Sequence, residues 1–154
     1  IDIDSSNIGK YYPLDLYWDG NTEVVLDLAL KARKLVADRR IEGCNNKLAV
    51  MYGPVLYCSE SADNGNEIIH IASDAEFVIA HKKICGVDIL SLRTKQASVQ
   101  NYKDELYSDI CDTKIEQKNI ELIPYFAWDN REKGRMQTWF NIDWKVKGDN
   151  YENN

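Results

Sequence analysis

From residue 47 onward the sequence is a succession of short apolar runs, each cut off by turn residues. The run 48–52 stops at Gly53-Pro54 and resumes at 55–58, and Asp63-Asn64-Gly65-Asn66 precedes another at 68–71. Further runs follow at 77–80, at 87–92 after Gly86, and at 120–123 before Pro124. In the stretch 136–140, Met136, Thr138 and Phe140 alternate with Gln137 and Trp139. Runs this short fall below the length of an amphipathic helix and read as strands between turns. Many short strands at this spacing predict an all-β chain, an antiparallel β-sandwich of jelly-roll type.

The stretch 22–40 carries two conflicting signals. Thr22 is a helix-capping residue, Asp27 and Lys31 stand at i,i+4, and Gly43 is placed to end a helix. Against this, Val24, Leu26, Leu28 and Leu30 alternate with Val25, Asp27, Ala29 and Lys31, which is the period of a strand. Asp19-Gly20-Asn21 has hairpin-turn chemistry and would join this stretch to 11–18. Periodicity and turn together favour a strand. The polar, weakly periodic stretch 96–119 reads as a long loop with a helical turn near 102–107, and the polar residues 147–154 read as a frayed tail.

Composition narrows the function. A chain of 154 residues is one domain, or one domain and part of a second. Its net charge of -6, with only 19 Lys and Arg, argues against nucleic acid, which needs a basic patch. Lys31, Arg33, Lys34, Arg39 and Arg40 read as the solvated face of one element. No apolar run is long enough to span a membrane. The chain begins Ile1-Asp2-Ile3-Asp4, without signal-peptide character, and reads as a piece of a longer chain.

Cys44, Cys58, Cys85 and Cys111 show no CxxC spacing, and only His70 and His81 could join them, so no zinc or other cofactor is expected within this chain. Free, mostly buried thiols in a reducing, cytoplasmic setting are the simpler reading, with two disulfides the alternative.

Candidate catalytic groups do not converge. Twenty-five acids offer many pairs, but a glycosidase pair is defined by its separation across a sugar, which a sequence does not carry. Cys58 lies in an apolar run, where burial disfavours a thiolate, and His70 sits between Ile69 and Ile71 as a structural residue would. The turn 63–67 lacks the remaining ligands of a calcium loop. Tyr125, Phe126, Trp128, Trp139 and Trp144 crowd the C-terminal stretch, as packing residues or as sugar-stacking platforms. Trp128 with Asp129 and Asn130 is the best candidate for carbohydrate binding, and no catalytic or metal residue is assigned.

Two strings carry a family resemblance: KLAVMYGPVLYCSESADN at 47–64 and ELIPYFAWDNREKGRMQTWF at 121–140. Together they resemble the C-terminal region of the β-L-arabinofuranosidase family of glycoside hydrolases, through Gly53-Pro54, Tyr57-Cys58, the string Ile123-Pro124-Tyr125-Phe126-Ala127-Trp128 and Asn130-Arg131. Weaker similarity runs through 11–30 and 84–90. The resemblance implies a parent with a helical barrel holding the catalytic acid/base, a cysteine nucleophile and a zinc, followed by β-sandwich domains. It implies that 1–45 are trailing strands of a preceding sandwich and 46–146 the last sandwich, with 147–154 a tail. This chain would then be a non-catalytic accessory domain that supports the barrel or a homodimer. A stand-alone carbohydrate-binding module is the alternative.

Overall fold

The structure, a computed structural model, describes residues 9–18, 20–100, 106, 107, 109 and 114–144. Among these, nine strands form one sheet: β1 (Ala32–Val36), β2 (Lys47–Tyr52), β3 (Val55–Glu60), β4 (His70–Ala72), β5 (Val78–Ile84), β6 (Val87–Gln100), β7 (Lys114–Pro124), β8 (Met136–Gln137) and β9 (Phe140–Asp143). A single helical turn, α1 (Ser61–Asn64), follows β3, and short 3-10 turns occur at Glu42–Cys44 and Tyr125–Ala127.

Turn chemistry sets the hairpins. Tyr52 pairs with Val55, leaving Gly53 and Pro54 as a two-residue loop, with Gly53 at φ 55. A glycine at the first central position is what a type II′ hairpin turn requires. Ile84 pairs with Val87, and both residues between them, Cys85 at φ 47 and Gly86 at φ 83, adopt the left-handed conformation of a type I′ turn.

The main path of the sheet runs β4-β9-β2-β3-β7-β6-β5. Leu48 of β2 pairs with Val36 of β1 on one side and Phe140 of β9 on the other. Ser59 of β3 pairs with Leu122 of β7 on one side and Gln137 of β8 on the other. The segment β8–β9 therefore wedges between β2 and β3 where they splay apart. β4 then adds to β9 in parallel, pairing His70 with Asn141 and Ile71 with Ile142. The fold is all-β as expected, but the sheet is mixed rather than wholly antiparallel.

Strand alternation gives the sheet two buried faces. On one, Leu48, Val50, Tyr57, Leu92, Ile120, Leu122 and Phe140 pack with Ile69 and Ile71 from the β4 region. On the other, Cys58, Ile84, Ile89, Ile123 and Ala127 form a smaller core, with Trp128 and Met136 against it. Neighbours in sequence thus serve opposite cores, Tyr57 beside Cys58 and Leu122 beside Ile123.

The structure departs from the sequence reading in several places. No strand occurs in 11–18 or 20–31; the strand in that region is only β1, and Asp19 lies outside the described residues. An alternating strand needs a sheet edge to pair with, and among the described residues none pairs with 22–30. The expected loop at 96–119 is shortened from both ends, because β6 and β7 pair from Leu92↔Leu122 out to Gln100↔Lys114. That hairpin reads polar because Lys95, Ala97, Glu116, Gln117 and Asn119 are exposed on its outer half. The proposed helical turn at 102–107 falls mostly, and the tail 147–154 wholly, outside the described residues. The turn expected at 63–66 is the end of α1, closed by Gly65 at φ 73. The 136–140 strand is split into β8 and the start of β9.

Phe140 is fully buried where β9 joins β2. Phe140→Ala is expected to lower unfolding free energy by about 3–5 kcal/mol. Urea denaturation would show it as a lower midpoint with an unchanged slope.

Candidate functional site

The two strings that carry the resemblance meet in space through one guanidinium. Arg131, in the loop after β7, donates from Nε to Glu60 Oε2 at 3.0 Å and pairs with the same oxygen through Nη2. It donates to both oxygens of Asp63, from Nη1 at 2.9 Å and from Nη2 at 2.7 Å. Lys82 of β5 pairs with Asp63 and reaches Glu121 Oε2 at 2.9 Å. Glu121 Oε1 accepts from Ser91 Oγ at 2.7 Å and from Arg93 Nε at 2.9 Å. Three carboxylates therefore face three cations in one network beside the smaller core.

Asn64 ties this network to the backbone. Its Nδ2 donates to Ser59 Oγ and to the carbonyls of Glu60 and Glu121, and its Oδ1 accepts from the Glu121 amide at 2.9 Å. α1 holds Asp63 and Asn64 on the same turn, so one short element serves both the charged and the neutral parts.

The environment fixes the protonation of these groups. Burial pushes the Asp63 carboxyl up, but hydrogen bonds from Arg131 and Lys82 outweigh it and hold the group below the usual carboxylate range. Burial likewise acts on Glu121, and donation from Ser91, Lys82 and Arg93 holds it low. Burial, with Glu60 nearby, pushes the Cys58 thiol up to about 12, so this cysteine is inert as a nucleophile.

The sequence-chosen residues lie on the loop that Arg131 pins. Trp128 is half-buried against the smaller core, and its ring stacks on Tyr125 with centroids 5.9 Å apart and an interplanar angle of 27°. Asp129 is exposed at φ 60, and its amide donates to Glu60 Oε1 at 3.3 Å. Asn130 is exposed, donating from Nδ2 to the Trp128 carbonyl and accepting at its own carbonyl from the Cys85 thiol. Asn130 lines a small hollow with Ile84, Val87, Phe126 and Ala127, and Tyr125 and Phe126 are more exposed rings than Trp128. Cys44, Cys58 and Cys85 are free thiols, and Cys111 lies outside the described residues.

A larger cleft lies elsewhere, beside β4 and the outer half of the β6–β7 hairpin, with about 1120 Å³ of space. His70, Asp74, Glu76, Lys95, Gln117 and Asp143 line it, and His70 Nδ1 stands 3.4 Å from Asp143 Oδ1. Buried Gln96 accepts there from the His70 amide, tying β4 to β6. Sequence reasoning missed both this cleft and the ionic network, because each joins positions far apart in the chain. The only sequence signal was the joint presence of acids in the first string and Arg131 in the second. Among the described residues, no group of three or more His, Cys, Asp or Glu is placed to hold a metal ion, and no helix is long and apolar enough to cross a membrane.

Arg131→Met leaves Glu60 and Asp63 without their fork and is expected to cost about 3–5 kcal/mol. Because Asp63 and Glu121 titrate below their unfolded values, their stabilisation is complete above those unfolded values and is lost as pH falls through the folded ones. Unfolding free energy should therefore decline below about pH 5, and more shallowly in Arg131→Met, as read by urea titrations across pH. A variant with the same pH slope as the original chain would refute this assignment. In a thiol-labelling experiment exposed Cys85 should react in the native state, while Cys58 should wait for unfolding.

Comparison with known proteins matches this geometry to a family. The pattern of the glycoside hydrolase family 127 C-terminal domain fits residues 32–141. A non-reducing end β-L-arabinofuranosidase of Bifidobacterium longum is 27% identical over 125 residues, which cover 76% of this chain and 19% of that protein. The crystal structure of a family 127 β-L-arabinofuranosidase from Geobacillus stearothermophilus T6 superposes with a TM-score of 0.65 at 25% identity, covering 74% of this chain and 18% of that one. A further solved structure, described as a glycoside hydrolase, gives 0.60 at 33% identity over 73% and 19% of the two chains. The chain thus spans about a fifth of the length of the proteins it matches. The matched stretch runs from the first residue of β1 into β9 and takes in both signature strings and the Arg131 fork that joins them, so this chain belongs to the glycoside hydrolase family 127 C-terminal domains.

Proposed function

We propose that this chain is a non-catalytic accessory domain of a longer glycoside hydrolase that acts on β-L-arabinofuranosides. Its work is to pack against the helical catalytic barrel of the same parent chain, with a homodimer contact as a further role. The observation that carries the reading is the strand-patterned segment before β1. Val25, Leu26 and Leu28 are exposed by 80%, 67% and 65%, and no strand among the described residues pairs with them. An apolar, strand-patterned segment left open in this way fits a chain whose partner sheet belongs to another part of the parent. On this reading residues before about 45 supply trailing strands to a preceding sandwich, although β1 itself pairs with β2 of the present sheet.

The charge arrangement supports the absence of catalysis here. A glycosidase acid needs a carboxyl whose proton is retained near neutral pH. Asp63 and Glu121 are held the other way, ionised by cations that also fix their positions. On this reading the zinc and the reacting residues belong to the barrel, as the family resemblance implies.

The intact mass of the natural gene product tests the reading first. A product several times heavier than 17.7 kDa is expected. That product should hydrolyse a chromogenic β-L-arabinofuranoside, while the 154-residue chain should not, with or without added zinc. Turnover by the short chain, or a native product of its size, would overturn the proposal.

The Tyr125–Trp128 stack beside exposed Asp129 and Asn130 favours a second reading, a carbohydrate-binding module. It predicts that arabino-oligosaccharides shift the indole resonance of Trp128 and that Trp128→Ala abolishes the binding. No shift at millimolar sugar would remove this reading.

A further inference from the structure

The geometry points to one end of the sheet as the surface that docks on the part of the parent chain preceding this domain, with Tyr125, Phe126 and Val87 as its rigid apolar ledge. The inference rests on the accessory-domain reading above and names the face that this reading requires.

Strand register puts these residues together. Tyr57 of β3 pairs with Pro124, so Tyr125 and Phe126 follow directly at the end of β7 that lies beside the start of β3. The Gly53-Pro54 turn is at that same end, because Tyr52 and Val55 close the β2–β3 hairpin there. The Cys85-Gly86 turn and Val87 are there too, since β6 starts at Val87 and reaches Leu122 of β7 only at Leu92. Phe126 and Val87 line one small hollow with Ile84, Ile89 and Ala127. From β1 to β6 this end spans four strand spacings of about 4.8 Å, or roughly 19 Å.

The chain also enters the domain at this end. Ala32, the first residue of β1, pairs with Tyr52, and the Gly53 amide donates to the Lys31 carbonyl. Leu30 lies against the turn so closely that a Cβ on Gly53 would meet its Cδ2 at 2.9 Å. Whatever precedes residue 30 therefore leaves from this end of the sheet, across roughly 14–19 Å of strand spacings from the ledge. A tethered neighbour on a short linker has an effective concentration in the millimolar range, which favours it over a second copy of this chain.

The ledge has the character of a protein contact. Phe126 is exposed by 67% and Val87 by 61%, in the 3-10 turn that opens the loop after β7 and at the first residue of β6. The Arg131 fork, the Trp128 amide donating to the Tyr125 carbonyl and the Tyr125–Trp128 stack all fix the loop. Aromatic side chains held rigid before contact lose little entropy on binding, which is typical of interface anchors. The hollow beside Phe126 is bordered mainly by aliphatic side chains, so it suits an apolar protein surface better than the hydroxyl groups of a sugar.

Hydroxyl-radical footprinting compares the 154-residue chain with the natural parent protein. Tyr125 and Phe126 should be oxidised freely in the chain and be protected about tenfold in the parent, together with Leu26 and Leu28, as expected when side chains enter an interface core. Phe126→Asp combined with Val87→Asp in the parent should restore labelling of Tyr125 and split its thermal unfolding into two transitions. Val36→Asp, at the far end of β1, should do neither. Both substituted ledge positions are solvent-facing, so the isolated chain carrying them should unfold at the original urea midpoint. Protection of Leu26 and Leu28 without Tyr125 and Phe126 would overturn the ledge and leave the accessory reading standing. Protection at neither place would overturn both. Protection of Tyr125 only on adding arabino-oligosaccharide would overturn the ledge in favour of sugar binding.

Discussion

Arg131 reaches from the loop after β7 to two carboxylates, Glu60 at the end of β3 and Asp63 within α1. Glu60 is only 2% exposed, and an ionised carboxylate taken out of water costs several kcal/mol unless a cation meets it. Arg131 meets Glu60 and Asp63 together, and its planar fork fits paired oxygens in a way a lysine would not. The loop that carries Arg131 is thereby drawn over the second face of the sheet. Ala127 and Trp128, which cover Cys58 and Ile123, are placed by that same closure. Remove the guanidinium and the smaller core loses its lid as well as its charge balance.

The arrangement explains why β3 and β7 are buried on both faces. One face carries the larger core, built from β2, β3, β6, β7 and β9 with Ile69 and Ile71 against it. The other mixes five apolar residues with a charge network and needs a loop, not a second sheet, to cover it. Such a network adds little net stability over an apolar core, but it permits few alternative placements of the loop. The aromatics on the outer side of that loop are held in place by it.

Much of the fold was legible in the sequence, and the parts that were not have physical reasons. β2, β3 and the hairpin turn at Gly53-Pro54 follow from short apolar runs and one glycine-proline pair, and local chemistry is enough to place them. The outer halves of β6 and β7 were hidden because a solvated two-stranded hairpin has no apolar row to announce it. The segment 22–30 failed in the opposite sense: its alternation is strand-like, but alternation specifies a strand only where a partner edge exists. At the candidate site, Trp128, Asp129 and Asn130 were chosen as adjacent polar and aromatic residues. The contact that organises them spans from Glu60 to Arg131, and no local pattern encodes such a pairing. The cleft by His70 was invisible for the same reason, since β4, β6 and β9 come together only in the folded chain.

The wedge of β8 and β9 between β2 and β3 has a consequence for synthesis on the ribosome. Leu48 and Ser59 emerge early, yet their partners Phe140 and Gln137 come some eighty to ninety residues later. At about 5–20 residues per second, β2 and β3 wait roughly 4–18 s before the sheet can close around them. During that interval the hairpin offers an unpaired edge, and Glu60 and Asp63 stand without the guanidinium that neutralises them. The nascent domain is thus an open template until its last strand leaves the exit tunnel, a period in which a holding chaperone has something to bind.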